Sequence, residues 1–147
     1  MSKSAIFKPS SALNAGAISW LLAQTFWVGG LWLLHFLVLP ALAKLGLAPL
    51  LVDEIAAALS PLLVGLSAFC AALQVLVLVR AEGVACLWRD MRGQLLLTVL
   101  VMAASYFVVR YCWPDAGRWL LFSYLVLAFC GLLLVLQPVP GGSRRKL

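Results

Sequence analysis

Hydrophobic residues run through this chain in four long blocks that polar side chains interrupt only sparsely. No charge lies from Pro9 to Ala43, from Ile55 to Val79, from Gly93 to Val109 or from Trp119 to Ser143, with His35 taken as neutral. A helix rising 1.5 Å per residue needs roughly 20 apolar residues to cross the hydrocarbon of a bilayer, so each block predicts one membrane-spanning helix. The predicted helices cover 17–42, 49–79, 93–112 and 118–136. Gly46 and Pro49 mark the first connection, and residues 80–92 form a charged second one. Trp113-Pro114-Asp115-Ala116-Gly117 reads as a turn, and Pro138, Pro140, Gly141 and Gly142 end the last helix. Pro49 suits the first turn of its helix, whose positive N-terminal end favours Asp53 and Glu54.

The pattern predicts an all-α membrane protein: four transmembrane helices in an up-down bundle. Residues 1–16 form a polar, basic lead, 17–137 the transmembrane domain and 138–147 a basic tail. Basic residues set the orientation. Lys3, Lys8, Arg80, Arg89, Arg92, Arg144, Arg145 and Lys146 fall on one side, and only Lys44, Arg110 and Arg118 on the other. This imbalance predicts both termini in the cytoplasm of a bacterial cell, with the bundle in the inner membrane. Trp20, Trp88, Trp113 and Trp119 fall near the predicted interfaces, where indoles anchor. Ala41-Leu42-Ala43 mimics a signal-peptidase site, but the run from Ala17 to Leu39 exceeds the roughly 7–15 residues of a signal segment. The first helix is therefore expected to be retained.

Composition agrees. Hydrophobic residues make up 65% of the chain, against about 45–50% in ordinary soluble proteins. The net charge of +6 sits in short loops and tails, so it reports topology, and no nucleic-acid partner is expected. The expected partners are the lipid bilayer and either further copies of the chain or a larger membrane complex. Cys70, Cys86, Cys112 and Cys130 form no CxxC pair and suit small apolar positions. No HExxH, GxSxG, P-loop or dinucleotide fingerprint is present, and the loops are too short for a catalytic domain, so no enzyme is predicted.

Hydrophobic force cannot draw helices together in lipid, so small residues and buried polar groups must do it. Gly29 and Gly30 on the first helix face Gly65, Ala68 and Ala72 on the second in the predicted packing, and Pro61 lies on the same small-residue face. Gln24, Trp32 and His35 share one face of the first helix. Gln74, Gln94, Thr98, Ser105 and Gln137 extend a polar stripe over the other three, read either as interhelical hydrogen-bond glue or as a polar path along the bundle axis.

His35 is the only histidine. It lies roughly 7–8 Å inside the Pro40 end of its helix. An ionisable group at that depth is a functional candidate. Three roles compete: a ligand for haem or copper, a proton relay, and an interhelical hydrogen bond. No cofactor is predicted, and His35 remains the one candidate ligand for copper or haem. Arg110 falls at nearly the same depth. It is expected to pair with Glu54 or Asp115, or to snorkel outward. His35, Trp32, Gln24, Arg110 and Glu54 make up the candidate intramembrane site.

The segment Thr25-Phe26-Trp27-Val28-Gly29-Gly30-Leu31-Trp32, followed by Pro40-Ala41-Leu42, resembles the start of a bacterial four-helix membrane family labelled a domain of unknown function. Its W-x-G-G and later proline are similar to the membrane domains of copper-resistance D-type proteins. The resemblance implies a four-helix inner-membrane protein, and copper handling only by analogy, since no copper-ligand pattern carries over. Two functions follow: an accessory or scaffold component packing against itself or larger machinery, or a metal-handling or small-solute or proton transport protein using His35 and the bundle interior.

Overall fold

The computed structural model describes residues 11–113 and 115–138. The basic residues Lys3, Lys8, Arg144, Arg145 and Lys146, together with Pro114, Pro140, Gly141 and Gly142, lie outside the described residues. Among those described, all regular structure is helical: α1 (Ser11–Leu33), a π-helical turn (Leu34–Val38), α2 (Leu39–Lys44), α3 (Pro49–Glu82), α4 (Cys86–Arg89), α5 (Met91–Cys112) and α6 (Gly117–Val135). Four helical runs are long and apolar enough to cross a membrane: Ala15–Lys44, which continues through the π turn, then Pro49–Glu82, Met91–Cys112 and Gly117–Val135. That is the architecture of a multi-pass membrane protein.

Two boundaries differ from the sequence reading. The first helix starts by Ser11, so 11–16 extend it rather than forming part of a polar lead. The charged second connection is shorter than expected, because α3 continues to Glu82 and a single further turn, α4, follows. Gly83 closes α3 at φ 86°, a left-handed backbone that favours glycine.

Two prolines shape the helices around them. Pro40 has no N–H, and its ring crowds the carbonyl four residues earlier. The helix widens just before it: the Leu39 N–H reaches back five residues to the Leu34 carbonyl, the bond of a π turn. Pro61 sits within α3, which runs through it unbroken. Its missing N–H leaves the Ala57 carbonyl without the usual helical donor.

A single buried cluster joins the spans, with Trp27, Leu31, Val64, Leu78, Leu96, Val99, Leu127 and Leu134 at its centre. Its polar hub is Gln74, fully buried, on α3. The Trp27 indole donates to Gln74 Oε1 at 3.2 Å, and Gln74 Nε2 donates to the Trp20 carbonyl at 3.3 Å and to Gln24 Oε1 at 3.5 Å. These bonds tie α1 to α3. Two more tie α1 and the π-turn region to α6: Tyr124 Oη donates to the Leu31 carbonyl at 2.6 Å, and the Trp32 indole to the Ala128 carbonyl at 3.2 Å. Lipid competes for none of these groups, so each satisfied pair holds two helices in register.

The small-residue faces work differently from the expectation. Gly30 lies against α3, where an added Cβ would meet Leu63 Cδ2 at 3.2 Å. Gly29 and Ala72 are exposed, and a Cβ on Gly29 would touch nothing within 4 Å. Gly65 faces Phe107 of α5 rather than α1. Ala68 packs against the core. The tightest approaches involve two other glycines. A Cβ on Gly131 would lie 2.7 Å from Val28 Cγ2 and 2.9 Å from the Trp27 ring, and one on Gly93 only 2.5 Å from the Leu87 backbone.

Replacing Gly131 with alanine is expected to destabilise the bundle by roughly 1–3 kcal/mol, because the Trp27 ring is held by its indole bond and cannot retreat freely. Replacing Gly29 with alanine is expected to leave stability unchanged or slightly higher. Thermal unfolding of both variants in detergent micelles checks this, and equal losses at the two sites would contradict it.

A candidate ligand pocket built by all four spans

Helical spacing brings polar groups from every span to one end of the bundle. On α3, Asp53, Ala57 and Ser60 recur at the i, i+4, i+7 positions of one face. Tyr106 and Arg110 lie one turn apart on α5, and Gly117, Leu121 and Tyr124 line up on α6. His35 sits in the π turn. Together they line a cleft of about 360 Å³, within the size range of small-molecule sites.

The polar lining is His35, Asp53, Ser60, Tyr106, Arg110 and Tyr124. Tyr124 is buried and its hydroxyl hydrogen is committed to Leu31, leaving its oxygen free to accept. Tyr106 is only 2% exposed, yet its hydroxyl has no partner among the described residues. His35 stands beside Tyr124, with ring centroids 5.7 Å apart, and edge-on to Phe36 at 5.4 Å. Trp32 stacks on Phe36 at 4.7 Å and continues this aromatic wall, but its indole is turned to α6.

Arg110 has a structural reason to be here. Its Nη1 donates to the Ala57 carbonyl at 3.2 Å, the very acceptor that Pro61 leaves without a donor. In lipid a freed carbonyl must find another donor, and neighbouring helices commonly provide it. Guanidinium carries five N–H groups in a fixed fork, so this bond leaves others for the cleft.

The structure corrects the candidate site in several places. The carboxylate on the cleft is Asp53; Glu54, one residue and about 100° around the helix, is exposed and does not line it. Arg110 bonds backbone, and neither Glu54 nor Asp115 is its partner among the described residues. Gln24 lies away from the cleft, in the Gln74 hub, and its Nε2 has no partner. Of the predicted polar stripe, only Gln74 is buried. Gln94 is exposed and donates to the Trp88 carbonyl, Thr98 is exposed and bonds its own helix at Gln94, Ser105 bonds Met102 in the same way, and Gln137 meets Met91 Sδ at 3.7 Å. No polar path along the axis joins them among the described residues. Sequence reasoning overlooked Tyr106 and Tyr124 as cleft groups. The one usable signal was the one-turn spacing of Tyr106 and Arg110.

The cleft lacks the soft thiolate and thioether donors of a copper(I) site and the second histidine of a bis-histidine haem. His35 is its only nitrogen ligand apart from the guanidinium, and no cysteine or methionine lines it. Among the described residues, three side chains with metal-ligand spacing lie elsewhere, around α4: Glu82, Cys86 and Asp90 have ligand atoms within 4.8 Å of one another. There Cys86 Sγ bonds Asp90 Oδ2 at 2.8 Å and Glu82 Oε2 at 2.9 Å. These bonds to Asp90 and Glu82 push the thiol up to about 12, so without a cation it stays protonated at neutral pH.

Comparison with family models, characterised proteins and solved structures finds no match to this chain. The function is therefore argued from the cleft itself.

Two measurements check the geometry. In the first, removing Arg110 by Arg110→Met orphans the Ala57 carbonyl and is expected to cost about 1–2 kcal/mol. In a Pro61→Ala background, where the helix regains its own donor, the same change is expected to cost less than half as much. A double-mutant cycle on thermal or denaturant unfolding reads the difference, and equal costs in both backgrounds would contradict the assignment. In the second, Cys86 is made the only cysteine. Because thiolate is the reacting form and the two carboxylates disfavour it, maleimide labelling at pH 8 is expected to quicken more than about tenfold when Glu82 and Asp90 are changed to Gln and Asn. An unchanged rate would contradict the hydrogen-bond account.

Proposed function

We propose that this chain is a membrane receptor or carrier for a single amphipathic molecule borne by the bilayer, with the ligand's polar head in the cleft and its apolar part among the lipids. In this reading the four spans form an up-down bundle with both termini in the cytoplasm, so the cleft lies in the outer half of the inner membrane. The charge imbalance between the two sides supports that orientation.

The observation that carries the proposal is the convergence of six polar side chains from four helices on one cleft, among them Tyr106, whose hydroxyl has no partner among the described residues. A hydroxyl left unpaired on a cleft within the membrane is costly. A ligand that accepts its hydrogen bond offsets that cost. Leu39, Leu120 and Leu121 share the lining, so the same cleft offers apolar wall to an alkyl chain.

Binding is favoured over conduction because the bundle interior beyond the cleft is tightly packed. Trp20, Trp27, Gln74, Leu78 and Leu134 are packed there with 2% exposure or less. The proposal therefore takes the small-solute alternative in the form of a binding site and gives His35 a ligand contact rather than a metal. A second reading, an accessory component that packs against itself or a larger complex, has support from a shallow apolar groove on α6 between Phe122, Leu125 and Phe129. A partner helix would fit there as lipid does.

Native mass spectrometry of the chain extracted with its own lipids tests the proposal. One retained amphipath per chain is expected. Ser60→Trp, which fills the cleft, is expected to abolish that adduct while the helical signal and melting temperature persist. A wild-type chain that sheds every lipid as readily as the Ser60→Trp variant would overturn the reading.

A further inference from the structure

Charges of opposite sign line the cleft without neutralising each other. Arg110 is held at the Ala57 carbonyl. Asp53 lies four residues earlier on the same helix, about 6 Å along its axis at 1.5 Å per residue. Both line the cleft, and no ion pair within 4.0 Å joins them. Two further features sit on the cationic side. Gly117, the first residue of the 19-residue α6, lines the cleft, so the positive end of that helix faces it. The unpartnered Tyr106 hydroxyl is one turn from Arg110 on α5. His35 adds a ring nitrogen able to donate or accept.

From this arrangement we infer that the ligand's head group is a zwitterion: a phosphodiester and a primary amine on a two-carbon spacer, as in an aminophospholipid of the ethanolamine type. This rests on the reading of the cleft as a site for a bilayer-borne amphipath. The phosphate oxygens accept from the free guanidinium N–H groups, the α6 N-terminus and the Tyr106 hydroxyl. The ammonium donates to the Asp53 carboxylate. The two-carbon spacer keeps phosphate and ammonium close together, as suits two charges anchored one helical turn apart on α3, Arg110 at the Ala57 carbonyl and Asp53 itself. A glycerol head group offers no cation to Asp53. A choline head group offers a cation with no N–H to give, and its three methyl groups crowd the carboxylate.

The test is lipid exchange on the full chain, read by native mass spectrometry and by thermal stabilisation. Detergent-purified protein is titrated with phosphatidylethanolamine, phosphatidylglycerol or phosphatidylcholine of identical chains, and separately with water-soluble phosphoethanolamine. Phosphatidylethanolamine is expected to bind roughly tenfold more tightly than the other two lipids, the difference made by one charged hydrogen bond. Asp53→Asn is expected to weaken phosphatidylethanolamine to the level of phosphatidylglycerol. Glu54→Gln removes the same charge one residue away but off the cleft, and is expected to keep the preference. Tyr106→Phe is expected to weaken all three lipids together, through the phosphate they share.

Equal affinities for the three lipids, or a preference that survives Asp53→Asn, would overturn the zwitterion while leaving a lipid site in place. Equal loss of preference in Glu54→Gln would make the effect one of net charge and also overturn it. Soluble phosphoethanolamine binding as tightly as the lipid would overturn the bilayer as the source. Failure of every lipid to bind would remove the site itself.

Discussion

A backbone carbonyl that loses its donor inside a membrane must find another, and much of this structure follows from that constraint. Water satisfies such groups at no design cost in a soluble protein; hydrocarbon satisfies none. Pro61 frees the Ala57 carbonyl within a span, and Arg110 from α5 answers it at 3.2 Å. Pro40 stands just beyond a π turn that sets His35 on the cleft. A helix without these prolines would close on itself and need no polar neighbour. Here the interruptions bring a guanidinium and an imidazole to the same level of the bundle, and the cleft forms between them.

The two ends of the bundle solve the polar problem in opposite ways. At the Gln74 end the amide is consumed by its neighbours: one indole, one carbonyl and one further amide. Such a hub fixes register between α1 and α3 and leaves little to offer a ligand. At the His35 end the groups are only partly consumed. Tyr124 keeps its acceptor lone pairs, Arg110 keeps most of its fork, and Tyr106 keeps its whole hydroxyl. Gln74 spends its amide on joining α1 to α3, whereas the cleft groups keep donors and acceptors to spare.

Four spans, their approximate limits and the special depth of His35 and Arg110 were legible in the sequence, because bilayer thickness imposes a length and burial imposes a charge rule. The partners of those residues were not. Asp53 and Glu54 are adjacent and chemically alike, and only the phase of α3 against α5 decides that Asp53 meets the cleft. Gly29 and Gly30 look equivalent in sequence, yet only Gly30 touches α3. Gly131, where α6 leaves no room for a Cβ against Trp27 and Val28 of α1, was hidden because a lone glycine in an apolar run carries no signal of what it faces. The glutamines misled for the same reason. One per predicted helix suggested a common axis, but Gln94 bonds the Trp88 carbonyl nearby and Gln137 meets Met91 at the end of α5. The link from Pro61 to Arg110 could have been drawn from the sequence, had the freed carbonyl of Ala57 been counted as an acceptor in search of a donor.

The central claim is that this bundle is open to polar molecules at one end and sealed at the other. Accessibility of single cysteines along α3 to a membrane-impermeant thiol reagent tests it most directly, in a cysteine-free background and in oriented membranes. Cysteine at 53, 56 or 60 is expected to react from the outer side alone, and cysteine at 67 or 71 from neither side. Reaction at 67 or 71 would reveal a polar path through the core, and reaction at 60 from the inner side alone would invert the topology; either result contradicts the account.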